Sequence, residues 1–510
     1  MKTSTFGWMS FFFMATVMIG LPASSAAEPD ATTKTLIDFK DPDAIRIIPN
    51  QAAFEYSSSA GATQLNLKTS ATAQYPSVRI EPKAGPWNLE GYEFVTARIV
   101  NHEQAPLRVL LSANNPNADG RNGCSTASLA LGPGEKGTVT VTLGIWHGER
   151  KPFDAKNVTS VDILLDKPGR SHLFAVIDVQ AARRETFDLE RAKADPFFAE
   201  LTPPLGRGIN LGNALEAPNE GEWGVTLEES YFQAIKEAGF DSIRLPVRWS
   251  AHAAHTAPYK IEPEFFARVD WAVEQALSRG LKLVLNVHHY SEMDERPDEH
   301  QARFLALWGQ IAAHYKDRPA SLWFELLNEP HDKLTAGKWN KILLEALAAV
   351  RKTNPQRTVV VGPVAWNSIQ ELKSLELPED DRNLVVTVHY YGPFTFTHQG
   401  AHWLDAKSRP PAGVKWLGTE AERAAIAAEL DTAALWGLKH KRPIYLGEFG
   451  AYNRADLESR VRWTKFIAEE AARRKIGSAY WEFCSGFGAY DPVRKAWIEP
   501  LRQALVSTKK

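Results

Sequence analysis

Cysteine is almost missing from this 510-residue chain. The only two, Cys124 and Cys484, fall in stretches of different character, so no disulfide scaffold is expected and both read as free thiols. An excess of either charge is missing too. Lys and Arg total 59 against 61 Asp and Glu, a net charge of -2 that sets up no field toward nucleic acid or anionic membrane. From residue 207 onward no G-x-G-x-x-G or Walker-type loop occurs, which argues against an open nucleotide-binding sheet there. Neither H-E-x-x-H nor a cysteine cluster accompanies the pair His288-His289, so no metal is expected there, and the chemistry below requires no cofactor. After residue 27 no run is long and apolar enough to cross a bilayer. Before it, Lys2, an apolar stretch from Trp8 to Leu21 and the small residues Ser24-Ser25-Ala26-Ala27 form the pattern of a secretory signal. The mature chain is therefore expected to be secreted or periplasmic and free of the membrane, an uncleaved anchor being the alternative.

What is abundant is core-forming and aromatic: 44% hydrophobic residues and 16 tryptophans. That many indoles suits a binder of flat sugar faces, although tryptophans also fill cores. Residues 28–185 alternate polar and apolar over short runs, among them Gln64 to Leu67, Phe94 to Val100 and Leu107 to Leu111, broken by turns such as Gly132-Pro133-Gly134. This predicts an all-β, antiparallel sandwich, which loosely resembles jelly-roll modules. Within it Trp87, Tyr92 and Trp146 read either as a sugar-stacking surface or as core, and Asn114 to Asn122 either as a calcium loop or as a turn. The charged stretch Arg183 to Lys193 reads as a linker or short helix, and 186–206 as the linker between the two domains. From residue 207 to 510 the pattern becomes strand, loop, helix, repeated eight times. The runs Gly208 to Leu211, Ser242 to Val247, Lys282 to His288, Leu322 to Leu327, Thr358 to Val361, Leu384 to Tyr390, Pro443 to Gly447 and Ser478 to Glu482 are apolar on both faces, as in a (β/α)8 barrel. Thr226-x-x-Glu229 reads as a capping box opening a helix that closes at Gly239.

Barrel strands carry their reactive residues at their C-terminal ends. The fourth run ends in Asn328-Glu329-Pro330 and the seventh in Gly447-Glu448-Phe449-Gly450. Cleaving a glycosidic bond needs one carboxyl group to protonate the leaving oxygen. A second, about 5–5.5 Å away in retaining enzymes, attacks the anomeric carbon. Glu329 and Glu448 are the best-placed pair, whereas Glu325 and Glu482 read as buried structural acids. Arg244, inside the second strand, can hold a carboxylate ionised. Asn328 offers an amide to a sugar 2-hydroxyl, and His288 and His289 offer donors to other hydroxyls. His389 and Tyr391, two apart, share a face. Trp481 would floor the subsite where the bond breaks.

These phrases, with Arg207-Gly208-Ile209-Asn210-Leu211-Gly212-Asn213 and Val388-His389-Tyr390-Tyr391, resemble glycoside hydrolase family 5, the retaining β-glycanases. The likeness runs through residues 207–510. The segments Asn213-Ala214-Leu215-Glu216 and Phe396-Thr397-His398-Gln399-Gly400-Ala401-His402-Trp403 are most similar to the family's thermophilic bacterial endoglucanases that also cut mannan. The resemblance implies Glu329 as acid/base and Glu448 as nucleophile. It places Arg244, His288, His289, Asn328, His389, Tyr391 and Trp481 in the active site, and Asn213, Glu216, Trp366, His398 and Trp403 on sugars beyond the cleavage point. The expected activity is endo-hydrolysis of a β-1,4-linked polysaccharide, with glucan and mannan both open. A transglycosylase and a catalytically silent glycan-binding protein are the rivals. Nothing in the sequence speaks to the oligomeric state.

Overall fold

The computed structural model describes residues 33–59, 62–146 and 149–506; the expected signal at 1–27 lies outside them. Residues 33–182 form two facing sheets. One carries Ala52–Ser59, Ala62–Thr69, Leu173–Ala182, Phe94–Asn101 and Lys136–Thr142 in that order, with Thr33–Ile37 paired to Leu173–Ala182. The other is built chiefly from Cys124–Leu131, Leu107–Asn114, Ser160–Leu164, Ser77–Pro82 and Ile45–Asn50. Every second residue points inward, so Leu65, Leu67, Val95, Ala97 and Ile99 of the first sheet meet Val78, Ile80, Val109, Leu111 and Ile163 of the second in one core. Trp87 and Tyr92 are partly buried and pack against that core. Trp146 lies half-buried beside Arg121 and Lys151. Between Asn114 and Asn122, Asp119 accepts from the backbone N–H groups of Arg121 and Asn122 and from the Asn122 amide, which is turn chemistry.

The eight runs of the second half close into a parallel barrel. Its strands are β1 (Arg207–Asn210), β2 (Ser242–Leu245), β3 (Lys282–Asn286), β4 (Leu322–Glu325), β5 (Val359–Val361), β6 (Leu384–His389), β7 (Ile444–Phe449) and β8 (Gly477–Tyr480). Several, such as β2, β3 and β4, are shorter than their apolar runs, because the last residues of the run leave the ladder and turn into the loops at the C-terminal face. The helix expected from Thr226 starts at Glu229 without a capping box. Glu220, gripped by Arg268, takes the Leu227 N–H instead, so a tertiary ion pair displaces the local cap. Its other end is as read, on Gly239 with φ 94°.

Residues 186–206 are not a free linker. Two short helices, Leu189–Lys193 and Pro196–Glu200, are capped by Asp188 and Asp195, and Phe187, Ala192 and Phe198 join the core beneath the barrel's helices. Leu205 then closes an interior layer made by Val284, Val360, Val385, Tyr445 and Ala479. The segment plugs the barrel's floor, leaving the opposite face for chemistry. The sandwich abuts the barrel's flank: Glu135 accepts from the Thr335 hydroxyl (2.9 Å), Lys373 donates to Thr140 (2.9 Å), and Arg184 links Glu93 to Glu429.

Candidate active site

At the C-terminal ends of β2, β4, β6 and β7, polar side chains converge on a fully buried guanidinium. All five N–H bonds of Arg244 are used. Nε and Nη2 donate to the two oxygens of Glu325 (2.7 Å each), Nη1 to Asn210 (3.0 Å) and to Glu448 Oε1 (2.6 Å), and Nη2 also to Asn328 Oδ1 (2.8 Å). A guanidinium only donates, so the Asn328 atom facing it is the carbonyl oxygen, and the NH2 end of that amide is left for a ligand. Glu325, read as a structural acid, is indeed enclosed, with no exposed side-chain surface, and neutralises the arginine. Asn210 went unnoticed in the sequence; its one signal was an amide inside an otherwise apolar strand.

Glu448 on β7 receives Arg244 on one oxygen and the Tyr391 hydroxyl on the other (2.7 Å). Glu329, just past β4, receives His389 Nδ1 on Oε1 (2.8 Å). One oxygen of Glu329, one of Glu448 and a ring nitrogen of His389 all lie within 4.8 Å of one another. The two carboxyl groups therefore lie close together at the C-terminal face, although 119 positions separate them.

Their surroundings differ. Burial pushes Glu329 up to about 7, against the pull of Arg244 and His331. Burial raises Glu448 as well, but Arg244 and the Tyr391 hydrogen bond act on it in the opposite direction, and each favours the ionised form. Burial lowers His389 to about 4, so its ring is neutral at neutral pH. His288 is also driven well below its ordinary range by burial. Its Nδ1 faces the Asn286 amide (3.2 Å), whose oxygen is turned to the Val247 N–H, so Nε2 carries the proton and is a donor.

Trp481, beyond β8, stacks parallel to the His288 ring at 5.7 Å and 11°. It can sit there because residue 450 is glycine: a Cβ would lie 2.0 Å from the Trp481 carbonyl oxygen. Around this centre His289 is edge-on to Trp223 (5.3 Å), and His398 is edge-on to Tyr391 (5.0 Å). Trp366 is 53% exposed and lies flat on His331 (4.8 Å), over the loop that follows Glu329. Trp403 is 50% exposed and edge-on to Tyr452. Asn213 is half-buried with φ 63°.

Glu216 corrects an expectation. It is wholly buried and accepts from the backbone N–H groups of Asn213 and Ala214, so it shapes the loop after β1 and cannot touch a sugar. Glu482 does the same work after β8, accepting from the N–H groups of Cys484, Ser485 and Phe487.

Residues 207–486 match the family model for cellulase, glycosyl hydrolase family 5. Endoglucanase H of Acetivibrio thermocellus is 37% identical over 288 residues, 56% of this chain and 30% of that protein, so the chain spans under a third of that relative's length. Among solved structures, Thermotoga maritima Cel5A in complex with cellobiose is 50% identical, with TM-score 0.58, covering 62% of this chain and 99% of that one. The same figures hold for Thermotoga maritima Cel5A in complex with a mannotriose substrate.

Proposed function

The chain belongs to the cellulases of glycosyl hydrolase family 5, and from that premise we propose that it is an endo-β-1,4-glucanase acting by double displacement. The meeting of Glu329 and Glu448 within 4.8 Å, from the ends of β4 and β7, carries this reading. One oxygen of each group within 4.8 Å of the other supports the close carboxyl pair of retention over the wider pair that inversion uses. Glu448, ionised beside Arg244, attacks the anomeric carbon. Glu329, still protonated near neutrality, gives its proton to the departing glycosidic oxygen. Once that product leaves, Glu329 is a carboxylate and takes a proton from the water that displaces Glu448, which restores both groups. Asn328, with its NH2 end unclaimed, is assigned to the 2-hydroxyl, and Trp481 to the face of the ring. Trp366, His289, His398, Trp403 and Asn213 are assigned to neighbouring sugars.

Proton NMR of a digest in its first minutes tests the mechanism: new reducing ends should be β and mutarotate later, and α ends at the start would refute it. Glu448→Gln should abolish turnover of a soluble β-glucan. Product chains longer than the substrate would mark a transglycosylase, and no turnover of any β-glycan by the wild type would mark a binding protein.

Mannan or glucomannan is proposed as a further substrate, on the strength of the mannotriose complex of the Thermotoga relative. Rates measured side by side on barley β-glucan, carboxymethylcellulose, glucomannan and galactomannan test it, and no release from either mannan would discard it. Export is proposed from the signal-like pattern at residues 1–27. Among the described residues no helix is long and apolar enough to cross a membrane. Amino-terminal sequencing of the cell-derived protein should begin near residue 28; a start at Met1 would contradict export by cleavage.

A further inference from the structure

We propose that Asn367, in the loop after β5, is a positioning residue for the acid/base: it fixes the tautomer of His389 that holds Glu329. This rests on Glu329 being the acid, as proposed above. Nothing in the sequence pattern marks Asn367, and it touches none of the space a sugar would occupy.

The geometry is a relay of two hydrogen bonds through one ring. Asn367 Nδ2 faces His389 Nε2 at 3.4 Å, and His389 Nδ1 faces Glu329 Oε1 at 2.8 Å. A neutral imidazole has one donor and one acceptor. An amide NH2 toward Nε2 makes that nitrogen the acceptor, so the proton resides on Nδ1 and is donated to Glu329. Oε1 is thereby occupied in both protonation states, and the acidic proton is confined to Oε2, the oxygen free to reach the leaving group. When that proton departs, Nδ1–H is already aimed at the new carboxylate and need not reorganise.

The side chain is held against His389 by its backbone and its burial. Asn367 is completely buried and has φ 55°, the third of three consecutive left-handed residues after Ala365 and Trp366. Asparagine tolerates that conformation where most residues do not. Ser368, the next residue, bridges the backbone of His389 itself. Two glycines make the room. A Cβ on Gly362 would lie 2.4 Å from Asn367 Oδ1, and one on Gly447 would lie 3.0 Å from His389 Nε2 and 2.5 Å from Thr387 Oγ1. Asn367 Oδ1 and Thr387 Oγ1 are both buried without a partner among the described residues. A fold that needed only packing here would place an apolar side chain and avoid that cost. The amide earns its place through its other end, on the histidine.

The test uses the leaving-group dependence of an aryl β-cellobioside series with Asn367→Gly, which keeps the left-handed backbone and removes the amide. A poor leaving group such as phenol needs the acid and 2,4-dinitrophenolate does not. We expect kcat/KM on the phenyl substrate to fall about tenfold or more, and on the dinitrophenyl substrate less than about twofold. Equal losses on both would overturn the proposal in favour of a merely structural role. Glu329→Gln is run beside it: if that variant shows no leaving-group dependence, the acid assignment has failed rather than the positioning one. A second measurement does not depend on the glycine variant folding. The imidazole 15N spectrum of the wild type should show His389 protonated on Nδ1, and Asn367→Asp should move protonation to Nε2. A wild-type ring carrying its proton on Nε2 overturns the proposal whatever the kinetics.

Discussion

Replacing Arg244 by methionine strips five hydrogen bonds from the centre of the site, two of them to Glu325. Glu325 has no exposed side-chain surface and would become a buried charge with no counter-ion. Removing one partner of such a pair costs about 3–5 kcal/mol. At about 2.1 cal/mol/K of unfolding entropy per residue, a barrel of about 300 residues should then melt about 5–8 °C lower. Arg244→Met combined with Glu325→Leu removes the orphaned charge and should recover most of that loss. Activity should stay low in the double variant, because Glu448 still lacks its charge-assisted hydrogen bond. That bond is worth about 1.5–3 kcal/mol, a drop in kcat/KM of about 10- to 150-fold. The acid limb of the pH–rate profile should move to higher pH, since nothing now favours ionised Glu448 as strongly. Calorimetry and initial rates on a soluble β-glucan read the two quantities separately. A single variant as stable as the wild type, or a double variant with wild-type kcat/KM, would refute the claim that Arg244 serves fold and nucleophile at once.

Glu329, raised by burial to about 7, must be protonated to act, so kcat/KM for a poor leaving group should fall about tenfold per pH unit above that value; a flat profile to pH 9 would contradict the assignment. Tyr391→Phe deletes the 2.7 Å bond to Glu448 and should lower kcat/KM about tenfold with melting unchanged; a parallel loss of stability would make the hydroxyl structural. Glu216→Gln turns one acceptor into a donor against backbone N–H groups, at a cost of about 1–3 kcal/mol or about 2–5 °C. A raised KM with unchanged melting would instead restore Glu216 as a sugar contact.

Much of this molecule was legible because barrel strands advertise themselves locally. A run apolar on both faces, ended by polar residues and followed by a helical period, is a βα unit wherever it occurs, and eight in succession leave few ways to close a sheet. The same logic marked Glu329 and Glu448, whose strand-end positions converge whatever the loops between them do. Sandwich strands were located less fully: Ala52–Ser59 lacked a clean alternation because most of it is exposed, and Cys124–Leu131 because small and hydroxyl residues fill even its buried positions.

Tertiary structure alone decided what those positions mean. Glu216, Glu325, Glu329, Glu448 and Glu482 are one residue type, and no local pattern says which will face backbone N–H groups, which an arginine and which an open groove. Burial raises Glu216 to about 8 and Glu329 to about 7, so what separates them is their partners: backbone N–H groups on Glu216, and His389 from a separate strand on Glu329. The lost capping box at Thr226, the floor plug at 186–206 and the Asn367–His389 contact have the same origin. Each depends on a neighbour from another element, whose distance is fixed only when the barrel closes.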